Sequence, residues 1–358
     1  MASSKKLLPV FLFIIIAISS PNSISAKTFS CSSSGATCHA IVDYVSPNAT
    51  TLNAIKTLFT VRNLRSILGA NSLPLSTRGR FPVAAKQTVK IPFPCICRNG
   101  TGISNGLPVY TVVPNDGLYH IAAEVFSNLV TYQEIQAANN ISDANLIEVG
   151  QNLTIPLPCS CDDVGGQTVV HYGHVVAAGS SVEGIAGQYN ISEETLLLRN
   201  NLTGPQALIA GDVIDIPLRA CSSMVTNTSL DYPLLVPNNT YVVTANSCVK
   251  CKCDAQMNWM LHCDAAGINS SCPIIRCGGS DNLFLGNTTS SGCNATTCSY
   301  TGYNNTTIQT MVDSMSTCPA PTPNSSPTRL HGWRGNGLAI FIHAVMLCVL
   351  FLSSEMAM

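Results

Sequence analysis

Cysteine dominates the chemistry open to this chain of 358 residues, which carries 17 of them. Cys95-Ile96-Cys97 and Cys159-Ser160-Cys161 are Cys-x-Cys pairs, and Cys248, Cys251 and Cys253 are followed by His262 and Cys263. Thiolates at Cys-x-x-Cys spacing beside a histidine could hold zinc or run thiol–disulfide exchange. The first is disfavoured by an even cysteine count in a secreted chain, and the second lacks a thioredoxin-like βαβ context. Disulfides are the default. In an extended strand, residues two apart have Cα atoms about 6.5–7 Å apart, at the outer limit for a bridge, so the Cys-x-Cys partners are expected elsewhere in the chain.

Hydrolysis of a glycan needs two carboxylates about 5–10 Å apart, one of them often a glutamic acid with a raised pKa. No glutamate occurs between Glu194 and Glu355, and Asp231, Asp254, Asp264, Asp281 and Asp313 are scattered among turn residues and cysteines. They read as solvated loop aspartates. His171 and His174 are expected on one strand, facing the same side, as a surface or hydrogen-bonded pair with no third metal ligand. The reading is therefore not an enzyme: no catalytic residue, metal site or cofactor is expected, and no nucleic-acid partner.

The chain ends fix the compartment. Lys5 and Lys6 precede an apolar run from Leu7 to Ile18, the order of a secretory signal with cleavage near Ser25 or Ala26. The apolar run Leu338 to Leu352 is 15 residues long, short of the roughly 20 a spanning helix needs. It reads instead as a glycosylphosphatidylinositol (GPI) signal: Asn324-Ser325-Ser326 supplies small residues and Pro327 to Gly337 an 11-residue polar spacer. Asn324 is the expected attachment site, since Ser325 would place Pro327 two residues on. His343 and the ending Ser353-Ser354-Glu355 depart from the pattern, and a short or tilted membrane anchor is the alternative. Both put the body on the extracellular face of the plasma membrane. Removing the tail discards Cys348 and leaves an even number of cysteines. Asn-x-Ser/Thr acceptors at Asn48, Asn99, Asn140, Asn152, Asn190, Asn201, Asn227, Asn238, Asn269, Asn287, Asn294 and Asn304 suit a glycan-coated surface.

The elements that position these groups come from an internal repeat. Val109 to Phe126 reads as an alternating strand, a Pro-Asn-Asp-Gly turn and an amphipathic helix with Asp116 as N-cap; Gly173 to Tyr189 repeats it. Leu118, Ile121 and Phe126 match Val182, Ile185 and Tyr189, with one extra residue before Phe126, and match Leu52, Ile55 and Phe59 in a first copy. A second helix follows in each, with an apolar residue and an asparagine four places on: Ile67 and Asn71, Ile135 and Asn139, Leu196 and Asn200. These asparagines are expected as left-handed helix terminators. Each copy closes on a strand expected to end at Ile-Pro, at Ile91-Pro92, Ile155-Pro156 and Ile216-Pro217. The fold class is α+β: three small βααβ units in a disulfide-stapled block, then a cysteine-rich loop and β region.

This unit resembles the LysM module, over roughly Ala40 to Leu218. With its signal peptide, cysteine-rich region and GPI signal, the chain resembles the plant LysM-domain GPI-anchored receptor-like proteins. Arg65 to Leu75, Val169 to Val175 and Cys248 to Asp254 look closest to the peptidoglycan co-receptor branch. The implied division is signal peptide 1–26, modules 27–98, 99–161 and 162–220, cysteine-rich region 221–318, linker 319–324 and removed propeptide 325–358. The resemblance also implies bridges Cys31 to Cys97, Cys38 to Cys161 and Cys95 to Cys159. The ten cysteines from Cys221 to Cys318 would form five more, of open connectivity.

LysM grooves lie between the first strand–helix turn and the loop from the second helix to the closing strand. The resemblance thus implies glycan contacts from Pro114, Asn115, Asp116, Gly117 and Leu118 opposite Asp143, Ala144, Asn145, Leu146 and Ile147 in the second module. In the third, Ala178, Gly179, Ser180 and Ser181 face Gly204, Pro205, Gln206, Ala207 and Leu208. In the first, Pro47, Asn48, Ala49 and Thr50 face Ser72, Leu73 and Pro74, where a glycan on Asn48 would obstruct the groove. The second module is favoured. Lys27 to Arg98 holds nine Lys/Arg against Asp43 alone, while Asn99 to Arg219 holds two Arg against six Asp and six Glu. The basic module could pack on its acidic neighbours, be a solvated face, or attract the carboxylates of peptidoglycan. The expected function is a cell-surface co-receptor for N-acetylglucosamine polymers, peptidoglycan ahead of chitin, signalling in innate immunity through a LysM receptor kinase, with homo- or hetero-oligomerisation open. A wall-adhesion protein without a kinase partner, or less plausibly a glycan-degrading enzyme, is the alternative.

Overall fold

The computed structural model describes residues 29–316, apart from Asn269 and Asp281. The expected signal sequence, the expected attachment site Asn324 and the expected propeptide lie outside these residues. Three βααβ units follow one another. The first comprises β1 (Thr37–Val45), α1 (Leu52–Leu58), α2 (Leu64–Ala70) and β2 (Thr88–Arg98). The second comprises β3 (Val109–Thr111), α3 (Leu118–His120), α4 (Tyr132–Ala138) and β4 (Asn152–Thr154). The third comprises β5 (Val169–Val175), α5 (Val182–Tyr189), α6 (Glu193–Arg199) and β6 (Val213–Arg219). Short polar side chains start these helices by accepting from otherwise orphaned N–H groups: Thr51, Asn63, Thr131, Ser181 and Ser192 all cap this way. Asp116 does not, contrary to expectation; Gly117 is the N-cap of α3 and offers no side chain.

The extra residue before Phe126 is absorbed as a π turn over Ile121–Val125, closed by the Phe126 N–H donating to the Ile121 carbonyl. That turn places Phe126 edge-on between Phe59 of the first unit and Tyr110 of its own, with ring centroids 5.6 and 5.8 Å away. Tyr44 continues the row against Phe59 at 5.0 Å. The first two units therefore share one core, and the third has its own around Val182, Ile185 and Leu196.

The three asparagines after the second helices do not adopt the left-handed conformation expected of them; their φ values are −103°, −107° and −103°. The following residues, Ser72, Asn140 and Asn201, take it instead. Each asparagine side chain imitates a strand partner. Asn71 Nδ2 donates to the carbonyls of Ile67 and Lys90 while its Oδ1 accepts from the Lys90 N–H. Asn139 does the same with Ile135 and Thr154, and Asn200 with Leu196 and Asp215. One side chain thus ends a helix and pairs with the closing strand.

Units one and three are joined in a single sheet in the order Phe29–Ser30, Thr101–Ser104, β2, β1, β5, β6, with Pro158–Cys159 from after the second unit pairing onto Thr101–Ser104. Strand β1 runs antiparallel to β2 and parallel to β5, with Tyr172 opposite Ile41 and Gly173 opposite Val42. A Cβ on Gly173 would come 3.0 Å from a Val42 methyl, so a larger residue at this seam would have to push the Val42 side chain aside. Pro92 and Pro217 lie inside β2 and β6 rather than ending them. Strand β6 is at the sheet edge, and β2 pairs with Thr101–Ser104 only from Cys95 onward, so neither proline removes a needed donor.

His171 and His174 correct another expectation. Three residues apart on a strand, they point to opposite faces. His171 is buried and bonds Asp215 at 2.8 Å, part of a cluster with Arg199. His174 bonds Asp43 at 2.7 Å, and Tyr172 donates its hydroxyl to the same carboxylate. Asp43 therefore ties the first unit to the third.

Sulfur pairing completes the block: Cys31 with Cys97, Cys38 with Cys161 and Cys95 with Cys159, the three pairs the resemblance names. In the cysteine-rich region, Cys221 pairs with Cys253, Cys248 with Cys272, Cys251 with Cys263 and Cys277 with Cys298, and Cys293 is also disulfide-bonded. Its strands Tyr241–Thr244, Val249–Cys253 and Leu261–Ala265 form one antiparallel sheet, and Thr288–Ser291, Asn294–Tyr303 and Ile308–Ser316 another. Helix α2 packs on Tyr241–Thr244 so closely that a Cβ on Gly69 would stand 2.0 Å from the Tyr241 carbonyl oxygen.

Candidate functional site

The same backbone clasp lies between the two segments expected to wall the groove of each unit. Val112 donates to the Gln151 carbonyl and accepts from the Gly150 N–H; Val176 does so with Asp212 and Gly211, and Ser46 with Gln87 and Lys86. The strand–helix turn rises on one side of this clasp and the loop to the closing strand on the other.

In the second unit the turn is held by Asp116. Its carboxylate accepts from the Tyr110 hydroxyl at 2.8 Å and the Val113 N–H at 2.8 Å, and meets His120 Nδ1 at 2.9 Å. Burial pushes the Asp116 carboxyl up, but the bonds from Val113, Tyr110 and His120 outweigh it and hold it below its ordinary value. Burial and the neighbouring carboxylate push Tyr110 up to about 12, so it stays a donor. Asn115 sits at φ 73°, exposed at the tip beside Gly117. On the opposite lip Asp143 Oδ1 accepts from both the backbone N–H and Nδ2 of Asn145, Leu146 is 69% exposed, and Ile147 packs against the core. Two expected contacts need correction. Leu118 is buried in the core and the Asp116 side chain is 1% exposed, so both shape the turn and offer a ligand no free side chain.

The third groove has Gly179 at φ 84° and Ser180 on one lip, with exposed Pro205 and Gln206 in a short 3-10 turn on the other. Among the described residues no backbone hydrogen bond crosses the lips of the second or third groove. The first differs. Thr50–Thr51 pairs with Pro82–Val83, and the first N–H groups of α1, at Leu52 and Asn53, donate to Phe81 and Gly79. Its lips are zipped together. Asn71 and its strand partner Lys90 are 19 residues apart, against 15 in the other units, and the added chain builds the closing lip. Ser72 and Leu73, expected to line this groove, bond instead to Asn239 and Tyr241 of the cysteine-rich region.

Sequence reasoning missed Val113, Tyr119 and Val149, which are 49, 71 and 65% exposed in or beside the turn and lip of the second groove. The signal was available: each is apolar yet off the spacing that fills the core. Apolar faces beside amides and backbone groups suit a sugar ring carrying acetamides. Of the described Asn-x-Ser/Thr acceptors only Asn238 is half-buried, its Oδ1 accepting from the Ala255 N–H. The side chains that gather at metal-binding distances among the described residues, Cys31, Cys97 and Cys161 with Cys38 and Cys95, are all in disulfides and have no thiolate to give.

The family model for the LysM domain matches residues 110–156 and 174–217, the second and third units. LysM domain-containing GPI-anchored protein 2 of Arabidopsis thaliana is 43% identical over 351 residues, 95% of this chain and 98% of that protein. The chitin elicitor-binding protein of Oryza sativa subsp. japonica is 42% identical over 334 residues, 92% of this chain and 93% of that protein. Among solved structures, the ectodomain of a receptor-like kinase is 23% identical and covers 52% of this chain and 93% of that one, with a TM-score of 0.44. Similar to these relatives along nearly its whole length, the chain belongs to the LysM domain-containing GPI-anchored proteins.

Proposed function

We propose that this protein is a cell-surface, GPI-anchored binding subunit for N-acetylglucosamine polymers that acts in immunity through a LysM receptor kinase and has no enzymatic activity of its own. The first βααβ unit is a third LysM copy whose groove is closed. The observation that supports this most is the open second groove: fixed at its base by Val112, free at its lips, and edged by exposed Tyr119, Leu146 and Val149. Asn115, Gly117, Asp143 and Asn145 supply its polar groups, with Gly179, Ser180, Pro205 and Gln206 doing so in a secondary third groove.

The name of the rice relative favours chitin as the polymer. One feature favours peptidoglycan: Arg62, Arg78 and Arg80 are exposed and form no ion pair among the described residues. The basic unit is thus a solvated face rather than one neutralised by its acidic neighbours, and its field adds a salt-sensitive attraction to carboxylates. The test is retention of the secreted protein on insoluble peptidoglycan, chitin and cellulose at low and high salt. Leu146→Ala with Tyr119→Ala is expected to cut retention at least tenfold on the first two. Unchanged retention overturns the groove assignment. Charge reversal of Arg62, Arg78 and Arg80 should weaken peptidoglycan binding more than chitin binding, and equal losses would sink the preference.

A further inference from the structure

A second cleft, of about 550 Å3, opens where the first unit, the third unit and the cysteine-rich region meet. Its lining has two cations, Lys90 and Arg219, and no carboxylate. Each cation is held against an aromatic face: Lys90 Nζ is 5.1 Å from the centroid of the Tyr172 ring, and Arg219 Cζ is 4.1 Å from that of Trp259. Such contacts fix a positive group without neutralising it. Neither makes an ion pair among the described residues. Asp43, opposite Lys90 in the strand ladder, is already bonded to Tyr172, His174 and Val175.

Trp259 is itself unusual. Its φ of 58° is a left-handed conformation that a bulky residue rarely adopts, and its carbonyl is pinned by the N–H and hydroxyl of Ser222. The rest of the wall carries amides and hydroxyls, among them Gln188, Asn239 and Thr240. The volume is in the range of small-molecule sites.

We propose that this cleft is a second saccharide site, separate from the LysM grooves, that takes a sugar unit bearing a carboxylate. Lys90 and Arg219 receive the acid, and the amides and hydroxyls bond the sugar's polar groups. The inference rests on the glycan-binding reading for its ligand class. The acid can come from N-acetylmuramic units of bacterial wall or from uronic acids of plant wall, and the geometry serves both.

Trp259 is one of two tryptophans, so in the full chain carrying Trp333→Phe its fluorescence reports on the cleft alone. The titrants are an N-acetylglucosaminyl–N-acetylmuramic disaccharide, a galacturonate trimer and the neutral N-acetylglucosamine trimer. A saturable change with either acidic ligand, at least tenfold weaker with the neutral one and reduced about tenfold by Arg219→Gln, is expected. Which acidic ligand binds identifies the source. No response, an equal response to the neutral trimer, or an unaffected Arg219→Gln variant overturns the proposal. Asn190 and Asn238, both glycan acceptors, also line the cleft, so each titration is run before and after enzymatic trimming. Response in either state supports the site, and silence in both refutes it. Arg219→Gln is expected to leave polymer retention by the groove intact, and Leu146→Ala to leave the Trp259 signal intact, so each reading can fail alone.

Discussion

Three asparagines do for this fold what no hydrophobic residue could. Asn200 is buried, and its Ala variant would strand the backbone groups of Leu196 and Asp215 without partners. The loss should be about 3 kcal/mol, read from the denaturant midpoint; Leu198→Ala, at a 69% exposed position of the same helix, serves as the control and should change little. The sequence displays these asparagines at constant spacing, and their importance is evident there, but their mechanism is not: helix-terminating glycine-like behaviour and side-chain pairing to a strand need the same residue at the same place. Only the position of Lys90, Thr154 and Asp215 across the gap tells them apart. Asp116 gives a residue-scale prediction with pH. Its folded-state pKa is depressed, so its contribution is complete above the ordinary carboxylate value near 4 and fades as pH falls through the lower folded value. Retention on chitin through the second groove should hold from pH 7 to 5 and fall below about pH 4, a transition that Asp116→Asn removes. Persistence of the acid transition in that variant would assign it to another group.

Among the elements, α2 is where the repeat meets the cysteine-rich region. Gly69→Ala would drive a methyl group into the Tyr241 carbonyl, forcing backbone apart. A loss of about 1–3 kcal/mol is expected, with faster amide exchange along Tyr241–Thr244 and none of that change in the second unit. Strand and helix order was readable in all three units because apolar spacing records which face is buried. Two features were not. The π turn of Ile121–Val125 shows in sequence only as a surplus residue, which a loop could equally have absorbed. The zipped first groove depends on backbone pairing between Thr50–Thr51 and Pro82–Val83, and in sequence it shows only as the longer spacing from Asn71 to Lys90, which does not say where the added chain pairs.

The whole molecule is a set of repeats that are not independent beads. Bridging residues 38 and 161 closes a loop of 123 residues, and bridging 251 and 263 one of 12. On chain-entropy grounds the first contributes about 5 kcal/mol and the second about 3, so Cys38→Ser with Cys161→Ser should lower secreted yield and thermal stability more than Cys251→Ser with Cys263→Ser. A reversed order would mean the cysteine-rich region, not the repeat block, limits stability. Parallel pairing of β1 with β5 has a consequence for biogenesis. Asp43 waits for His174, 131 residues downstream. At about 5–20 residues synthesised per second, the nascent chain presents an open sheet edge for roughly ten seconds. The first unit therefore keeps an unpaired sheet edge until the third is made, and inherited damage to the third should surface as misfolding of the first.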